Sequence, residues 1–453
     1  MQRMMESDER QLELEIGRIT DVARRMGLDF FPMQYELCPA EVIYAIGAYG
    51  MPTRFSHWSF GKAFHRMKTQ YDFNLNRIYE LVINSDPCQA FLLEKNSLLQ
   101  NKVIAAHVLA HSDFFKNNVY FSLTNRKMVE SMAVTAEMIR EMEFVHGREA
   151  VETCLDAVLS IKEHIDPWAV LRDGTQHGVP QQAGGLEAGS RKAAGAGEKS
   201  GQTGISDVSR QAGTREEKDV LLFIARHSDH LEEWQRDIIW RIREEMLYFW
   251  PQLETKIINE GWATFWHIRI MRELDLTESE AIEFAKMNAA VIQLSPTGIN
   301  PYHLGLRMFE YLEQAYGLET LFEVRESQND VSFIRNYLTP ELVQQMDLYL
   351  FGRQADGYRI TSKDCEQVRE RLIQSRMNGG FPYIVVVDDD YRRNGELYLL
   401  HKYEGMELDP HYVRKTLPYV YALWGRPVHL ETVMNNRNCR FSTDGQQVTE
   451  EWV

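Results

Sequence analysis

Two histidines stand four residues apart in the run His107-Val108-Leu109-Ala110-His111. On an α-helix, positions i and i+4 share a face about one turn apart, so both imidazoles can reach one metal ion from the same side. In a chain with 14 histidines such a pair also arises by chance. The alternative is a helix carrying two packed or solvated histidines. A second run, Asn259-Glu260-Gly261-Trp262-Ala263-Thr264-Phe265-Trp266-His267, sets a carboxylate beside small residues. Gly261 and Ala263 let another helix approach closely, as a third ligand arriving from a second helix requires. The alternative is a surface Glu beside a packing glycine. His267 follows Glu260 by about 10.5 Å of helix axis, so only strain would put both on one metal. It is expected in an outer shell or against the core. Lys256 is expected to pair with a carboxylate or to solvate a helix face. Asp113, about 200° around the helix from His111, is expected to face away.

These residues need rigid carriers. A polar helix is expected over 9–27, two short strands over 77–84 and 89–94 with Ser85-Asp86-Pro87 as their turn, and a helix from Asn101 to about Phe115. Residues 216–290 read as amphipathic, Trp-rich helices, with Pro251 interrupting them at what would be a helix's first turn. The segment 295–303, SPTGINPYH, reads as a loop before a helix over about 304–316. From about 330 the character changes. FPYIVVVDDDY, ELYLLHKY and PVHLETVMNN read as strands, with helices at 339–351 and 362–377. The expected fold class is therefore α+β and predominantly helical. A mainly helical domain spans 1–171 and 216–329, and a small α+β domain spans 330–453. Asp388-Asp389-Asp390 after PYIVVV is expected to be a solvated turn, because strand alternation cannot point three carboxylates at one cation.

Composition narrows the classes. Of 453 residues, 50 are Lys or Arg and 66 are Asp or Glu, a net charge of −16. That balance argues against an extended nucleic-acid surface, although the aromatic and basic block over 51–73 has the mixture that stacks on bases. No apolar run approaches the roughly 18 residues of a spanning helix. The start of the chain, MQRMMESDERQLELEIGR, has no apolar signal core. The five cysteines form no CxxC pair, so a disulfide framework or cysteine zinc ribbon is not expected, and a reducing cytoplasm is the expected compartment. Ten of the 28 glycines fall between Gly174 and Gly213, and 172–215 has no Phe, Tyr or Trp. That stretch is expected to be a flexible Gly/Ala-rich insertion.

The two motifs resemble a known pair. HVLAHSDFF and NEGWATFWH are similar to the H-E-L-A-H and N-E-G-x-A-x-Y segments of the gluzincin metallopeptidases, and the order of hairpin, His-bearing helix and Glu-bearing helix also matches. The resemblance implies His107, His111 and Glu260 as metal ligands, a set that with one open position suits zinc. It also departs from the pattern. Val108 stands where the gluzincin general base, a Glu, belongs, and nearly 150 residues separate the two helices. Glu244, Glu245 and Glu254 are the candidates to replace that base, with Glu245 preferred. Tyr302 and His303 follow Glu260 at the place where gluzincins carry an oxyanion-stabilising Tyr or His, with a turn pair packed for structure as the alternative. Arg54, His57 and Trp58 are candidates to line the same cleft.

A narrower resemblance covers nearly everything outside 174–215. GAYGMPTRFSHWSFGKAF, YDFNLNRIYELVINSDPCQAFLLEKNSLLQNK, HVLAHSDFFKNN, EEMLYFWPQLETKIINEGWATFWH and SPTGINPYHLG resemble the stage V sporulation protein R (SpoVR) family. This implies a cytoplasmic bacterial protein linked to spore cortex assembly or, in non-sporulating relatives, to stress physiology. Three functions follow as expectations. The first is a metal-dependent hydrolase of a peptide, amide or protein substrate. The second is a metal-binding scaffold or regulator. The third is an interaction protein without metal, and protein partners are expected in each case.

Overall fold

The computed structural model describes residues 2–72, 80–169, 216–293, 298–354 and 357–453. The expected insertion at 172–215 lies outside the described residues. Among the described residues helices dominate, with three small sheets, so the fold is α+β and mainly helical.

The first sheet supports the His-bearing helix. β1 (Met33–Cys38), β2 (Glu80–Ile83) and β3 (Cys88–Leu93) lie in the order β1-β3-β2. β2 and β3 pair antiparallel, as the hairpin reading expects, while β1 joins parallel to β3 and is a strand that the sequence reading left out. Against the sheet lies the helix Leu98–Asn117, longer than expected at both ends. Its start is a capping box. Ser97 Oγ accepts from Gln100 N–H, and Gln100 Oε1 accepts from Ser97 N–H, which satisfies two otherwise orphaned donors. Almost every side chain from Leu99 to Phe115 is buried. A helix covered on all sides belongs in the centre of a domain.

The Glu-bearing helix, Lys256–Arg272, is equally central, with Trp262, Trp266 and Ile270 at 1% exposure or less. Its N-terminus is capped from outside. Asp330 Oδ1 accepts from the backbone N–H of Ile257 (2.8 Å) and Ile258 (3.0 Å), and Arg376 pairs with Oδ2 at 3.0 Å. An anion there satisfies free donors and faces the positive end of the helix dipole. The preceding helix runs Glu233–Glu254 with Pro251 inside its last turn, not its first. The break falls at Thr255, whose hydroxyl donates to the Pro251 carbonyl.

The Glu-bearing helix crosses the helix Pro301–Tyr316 glycine on glycine. A Cβ built on Gly261 would lie 2.4 Å from Gly305 Cα, and one built on Gly305 would lie 2.3 Å from the Ile257 carbonyl oxygen. The small residues read as an opening for the His-bearing helix thus serve the contact with 301–316.

Beyond 330 the expected helix at 339–351 is only Pro340–Gln345. Asp347 turns the chain with φ 50°, and a short hairpin follows, β4 (Leu350–Gln354) and β5 (Gly357–Ser362). The helix near 362–377 spans Cys365–Arg376. β6 (Ile384–Tyr391), β7 (Glu396–His401), β8 (Val428–Met434), β9 (Arg437–Thr443) and β10 (Val448–Trp452) form one sheet in the order β10-β9-β8-β7-β6. Helix Pro410–Trp424 makes the crossover between the parallel pair β7 and β8. Asp388-Asp389-Asp390 lie at the end of β6 and not in a turn: Asp388 accepts from the Asp390 N–H within the strand, and Asp390 accepts from the Gly395 N–H in the turn that follows.

Apolar packing runs across residue 330. Phe333, Ile334, Leu342, Val368 and Leu372 share a core with Leu109, Trp262 and Phe309. A second core joins Ile139, Leu155, Ile242 and Trp250 to Leu397, Leu430 and Phe441 of the large sheet.

Candidate metal centre

His107 and His111 occupy successive turns of Leu98–Asn117 with their rings edge to face, centroids 4.6 Å apart. Both are buried. Their Nε2 atoms are 3.1 Å apart. Glu260 reaches them from the Glu-bearing helix, its Oε2 3.7 Å from His107 Nε2 and 3.5 Å from His111 Nε2. Among the described residues this is the group of His, Cys, Asp and Glu side chains whose ligand atoms all lie within 4.8 Å of one another.

The donor set fits a metal. A tetrahedral ion with bonds of about 2.0–2.1 Å separates its ligand atoms by about 3.3–3.4 Å. The three measured separations, 3.1, 3.5 and 3.7 Å, straddle that edge. Glu260 Oε2 is buried and meets no donor at hydrogen-bonding geometry. A buried carboxylate oxygen in that condition is costly unless a cation compensates it. Burial would raise the Glu260 carboxyl, but the two facing imidazoles hold it well below the usual carboxylate range.

Both rings are steered from behind. His111 Nδ1 lies 2.8 Å from Asn259 Oδ1. An amide oxygen only accepts, so Nδ1 donates and the Nε2 lone pair turns toward Glu260 and His107. The sequence reading gives Asn259 no role, and its place next to Glu260 on the same helix is the signal that points to it. His107 Nδ1 lies 3.0 Å from His267 Nδ1. His267 thus stands behind the His107 ring, buried in the core. Burial, with His107 beside it, pushes it down to about 3, so it stays neutral. Such outer partners orient metal-bound imidazoles.

Tyr302 and His303 are not in a loop. They form the first turn of Pro301–Tyr316, where Asn300 Oδ1 accepts from both backbone N–H groups and Pro301 takes the position that lacks a bonded N–H. That Asn-Pro start is a readable helix signal. Tyr302 stacks over His107, centroids 6.1 Å apart and planes at 27°. His303 is half-buried among Arg307 and Glu310 of its own helix, and burial lowers its imidazole.

The substitute bases have other partners. Glu245 Oε2 lies 2.5 Å from Arg54, which also donates to the Tyr49 carbonyl. Burial pushes the Glu245 carboxyl up and Arg54 opposes it. Burial also raises Glu254, beside Trp250 and Lys218. Glu244 pairs with Arg241 at 3.2 Å. His57 and Trp58 both bond Asp156, and Lys256 is exposed. Asp113 faces away from Glu260, accepting from the Asp29 backbone and the Trp262 indole. Val108 is fully buried with Leu12, Ala90, Leu92 and Ile104, against the β1-β3-β2 sheet.

A mainly helical α+β chain with two histidines and a glutamate converging between two central helices is the class that fold and geometry define. Residues 6–381 match the family model described as SpoVR like protein, and residues 382–435 match the SpoVR-like C-terminal domain. The chain belongs to the SpoVR family. The boundary between the two family segments falls just before β6. A protein of Escherichia coli (strain K12), named "Uncharacterized protein YcgB", is 29% identical over 479 residues, covering 93% of this chain and 91% of that one. No solved structure gives a significant match. Among the described residues, no helix is long and apolar enough to cross a membrane.

Proposed function

We propose that this SpoVR-family chain holds one divalent metal ion, zinc being the best fit, on His107, His111 and Glu260, and presents it to a peptide or amide ligand. The observation that carries the reading is the convergence of three ligand atoms at 3.1, 3.5 and 3.7 Å, two of them on rings steered from behind. A bound ion would polarise a carbonyl oxygen or acidify a water at its open position. Asn259 and His267 hold the two rings, and the Tyr302 ring covers His107.

Two uses of such a centre remain, and Val108 separates them. Its side chain packs into an apolar cluster, so this position offers no group to take a proton from water. Glu245 is bound to Arg54. These placements favour a metal-binding scaffold or regulatory protein. The second reading, a gluzincin-type hydrolase, is supported by Tyr302, a phenol stacked on a ligand ring. The family resemblance supports a setting in spore cortex assembly or stress physiology, in the cytoplasm.

Metal analysis of protein purified without chelator tests the proposal. About one zinc per chain is expected, lost in His107→Ala and in Glu260→Ala. Metal-free wild-type protein, or unchanged metal content in both variants, overturns it. With the metal present, turnover on a peptide and amide library would promote the hydrolase reading over the scaffold.

A further inference from the structure

The large C-terminal sheet has two unlike faces. Leu397, Leu399, Val428, Leu430 and Phe441 pack into the core. Strand alternation turns their neighbours Tyr398, His429 and Ser442 to the other face, where the register sets them side by side across β7, β8 and β9. On that face three side chains form a chain of hydrogen bonds. Glu396 Oε2 lies 2.8 Å from His429 Nε2, and His429 Nδ1 lies 2.7 Å from Ser442 Oγ. Asn394 donates to the other Glu396 oxygen at 2.7 Å. Glu396 and His429 are buried, with the Tyr391 ring edge-on to His429 at 5.0 Å, while Ser442 is only half-buried. The carboxylate and the imidazole are thus drier than the hydroxyl at the end of the chain.

The protonation pattern follows from the partners. Burial would raise the Glu396 carboxyl, but His429 and Asn394 hold it below its usual range, so it is ionised. Burial lowers the His429 imidazole, so it is neutral near pH 7. A carboxylate only accepts, so Nε2 carries the proton and Nδ1 offers its lone pair to the Ser442 O–H. A hydroxyl on a neutral imidazole that is backed by a carboxylate is the arrangement that activates a serine. We propose that Ser442 is a nucleophile that takes the acyl group of an ester. Its Oγ bonds to the carbonyl carbon while its proton passes to His429 Nδ1, and the proton goes on to the alcohol as the ester C–O bond breaks. Water, deprotonated by the same nitrogen, then releases the acid. Arg440, two residues before Ser442 on the same face and donating to the Tyr391 hydroxyl at 3.1 Å, supplies positive charge for the oxyanion. Ser59, His57 and Asp156 form a similar chain near the other end of the protein. There the Ser59 backbone N–H also points at His57 Nδ1, at 3.3 Å, and the Trp58 indole shares the same Asp156 oxygen, so base and carboxylate are already engaged.

A fluorophosphonate probe on the full chain tests the assignment, because it marks activated serines as the Oγ–P bond forms and fluoride leaves. Mass spectrometry of the digested protein is expected to find the adduct on Ser442 and not on Ser59. Glu396→Gln leaves the hydrogen-bonded shape but removes the charge behind the imidazole, and His429→Gln removes the base. Each should slow labelling by about 10²–10⁴-fold. Ser442→Ala should abolish the adduct and the turnover of p-nitrophenyl acetate. Circular dichroism confirms that each variant is folded, and Glu396→Gln decides if His429→Gln is not. A serine that only braces the sheet stays unlabelled, and that result overturns the proposal. So do a labelling rate unchanged in Glu396→Gln and ester turnover that survives Ser442→Ala. Glu260→Ala is expected to label as the wild type does, so the outcome here is read apart from that of the metal centre.

Discussion

Gly261→Ala puts two well-known effects in opposition, and their magnitudes decide the sign. Alanine in a helix interior is worth about 1 kcal/mol over glycine, so on an open helix the change would stabilise. Here the new Cβ would lie 2.4 Å from Gly305 Cα, 2.5 Å from its carbonyl carbon and 2.9 Å from its oxygen. Ordinary contact begins at 3.4 Å, so the helices must part by at least 3.4 − 2.4 = 1.0 Å. All three atoms struck are backbone, so no rotamer change relieves the clash. Overpacking of a core costs about 1–3 kcal/mol, and a backbone clash belongs at the upper end. The net expectation is destabilisation by about 2 kcal/mol, read as a drop of a few degrees in melting temperature. Metal geometry tolerates only about 0.2 Å, so zinc affinity should fall wherever Glu260 moves with its helix. Gly305→Ala should act alike. The double variant should lose less than the sum of the singles, because one methyl already parts the helices. Thermal melts of the three variants decide the matter. A Gly261→Ala protein that melts at or above the wild-type temperature would refute the reasoning, since helix propensity would then have won.

Two further outcomes follow from side chains already placed. His267→Ala removes the group 3.0 Å behind His107 and should weaken zinc binding by about 10–100-fold in competition with a chelating dye. His267→Gln should recover part of that loss, and equal affinity in all three proteins would remove His267 from the support of the site. His164 is pushed from 6.5 down to about 4 by burial, with His401 and Lys218 adding to it. Its folded value lies below its unfolded one, so the stability it contributes is present above about pH 6.5 and is lost as pH falls through about 4. The loss is at most about 3 kcal/mol. His164→Gln should therefore flatten the acid limb of melting temperature against pH, and an unchanged acid limb would count against the assignment.

Local order was legible because it is written in local spacing. The i,i+4 pair His107 and His111, the β2–β3 hairpin around Asp86-Pro87 and the Glu-bearing run NEGWATFWH depend on a few adjacent residues, and periodicity alone sets which side chains share a face. Asn300-Pro301 is an equally local signal, a helix start inside the run that reads as a loop. What no local rule supplies is which faces meet. Glu260 stands opposite the two histidines because two helices nearly 150 residues apart pack together, with Gly261 on Gly305 setting how closely the second crosses helix 301–316. Val108 shows the same limit. It neighbours His107 in sequence, yet about 100° of helical rotation turns it from the ligands into the apolar cluster over the sheet. Glu245 looked available because Arg54, which holds it, lies nearly 200 residues away. Residue types and spacings thus determined the candidate ligands and the helical carriers of the site. Long-range packing decided which carboxylate reaches the histidines, which is neutralised elsewhere and which position is sealed in the core, because burial and ion pairing are properties of assembled faces.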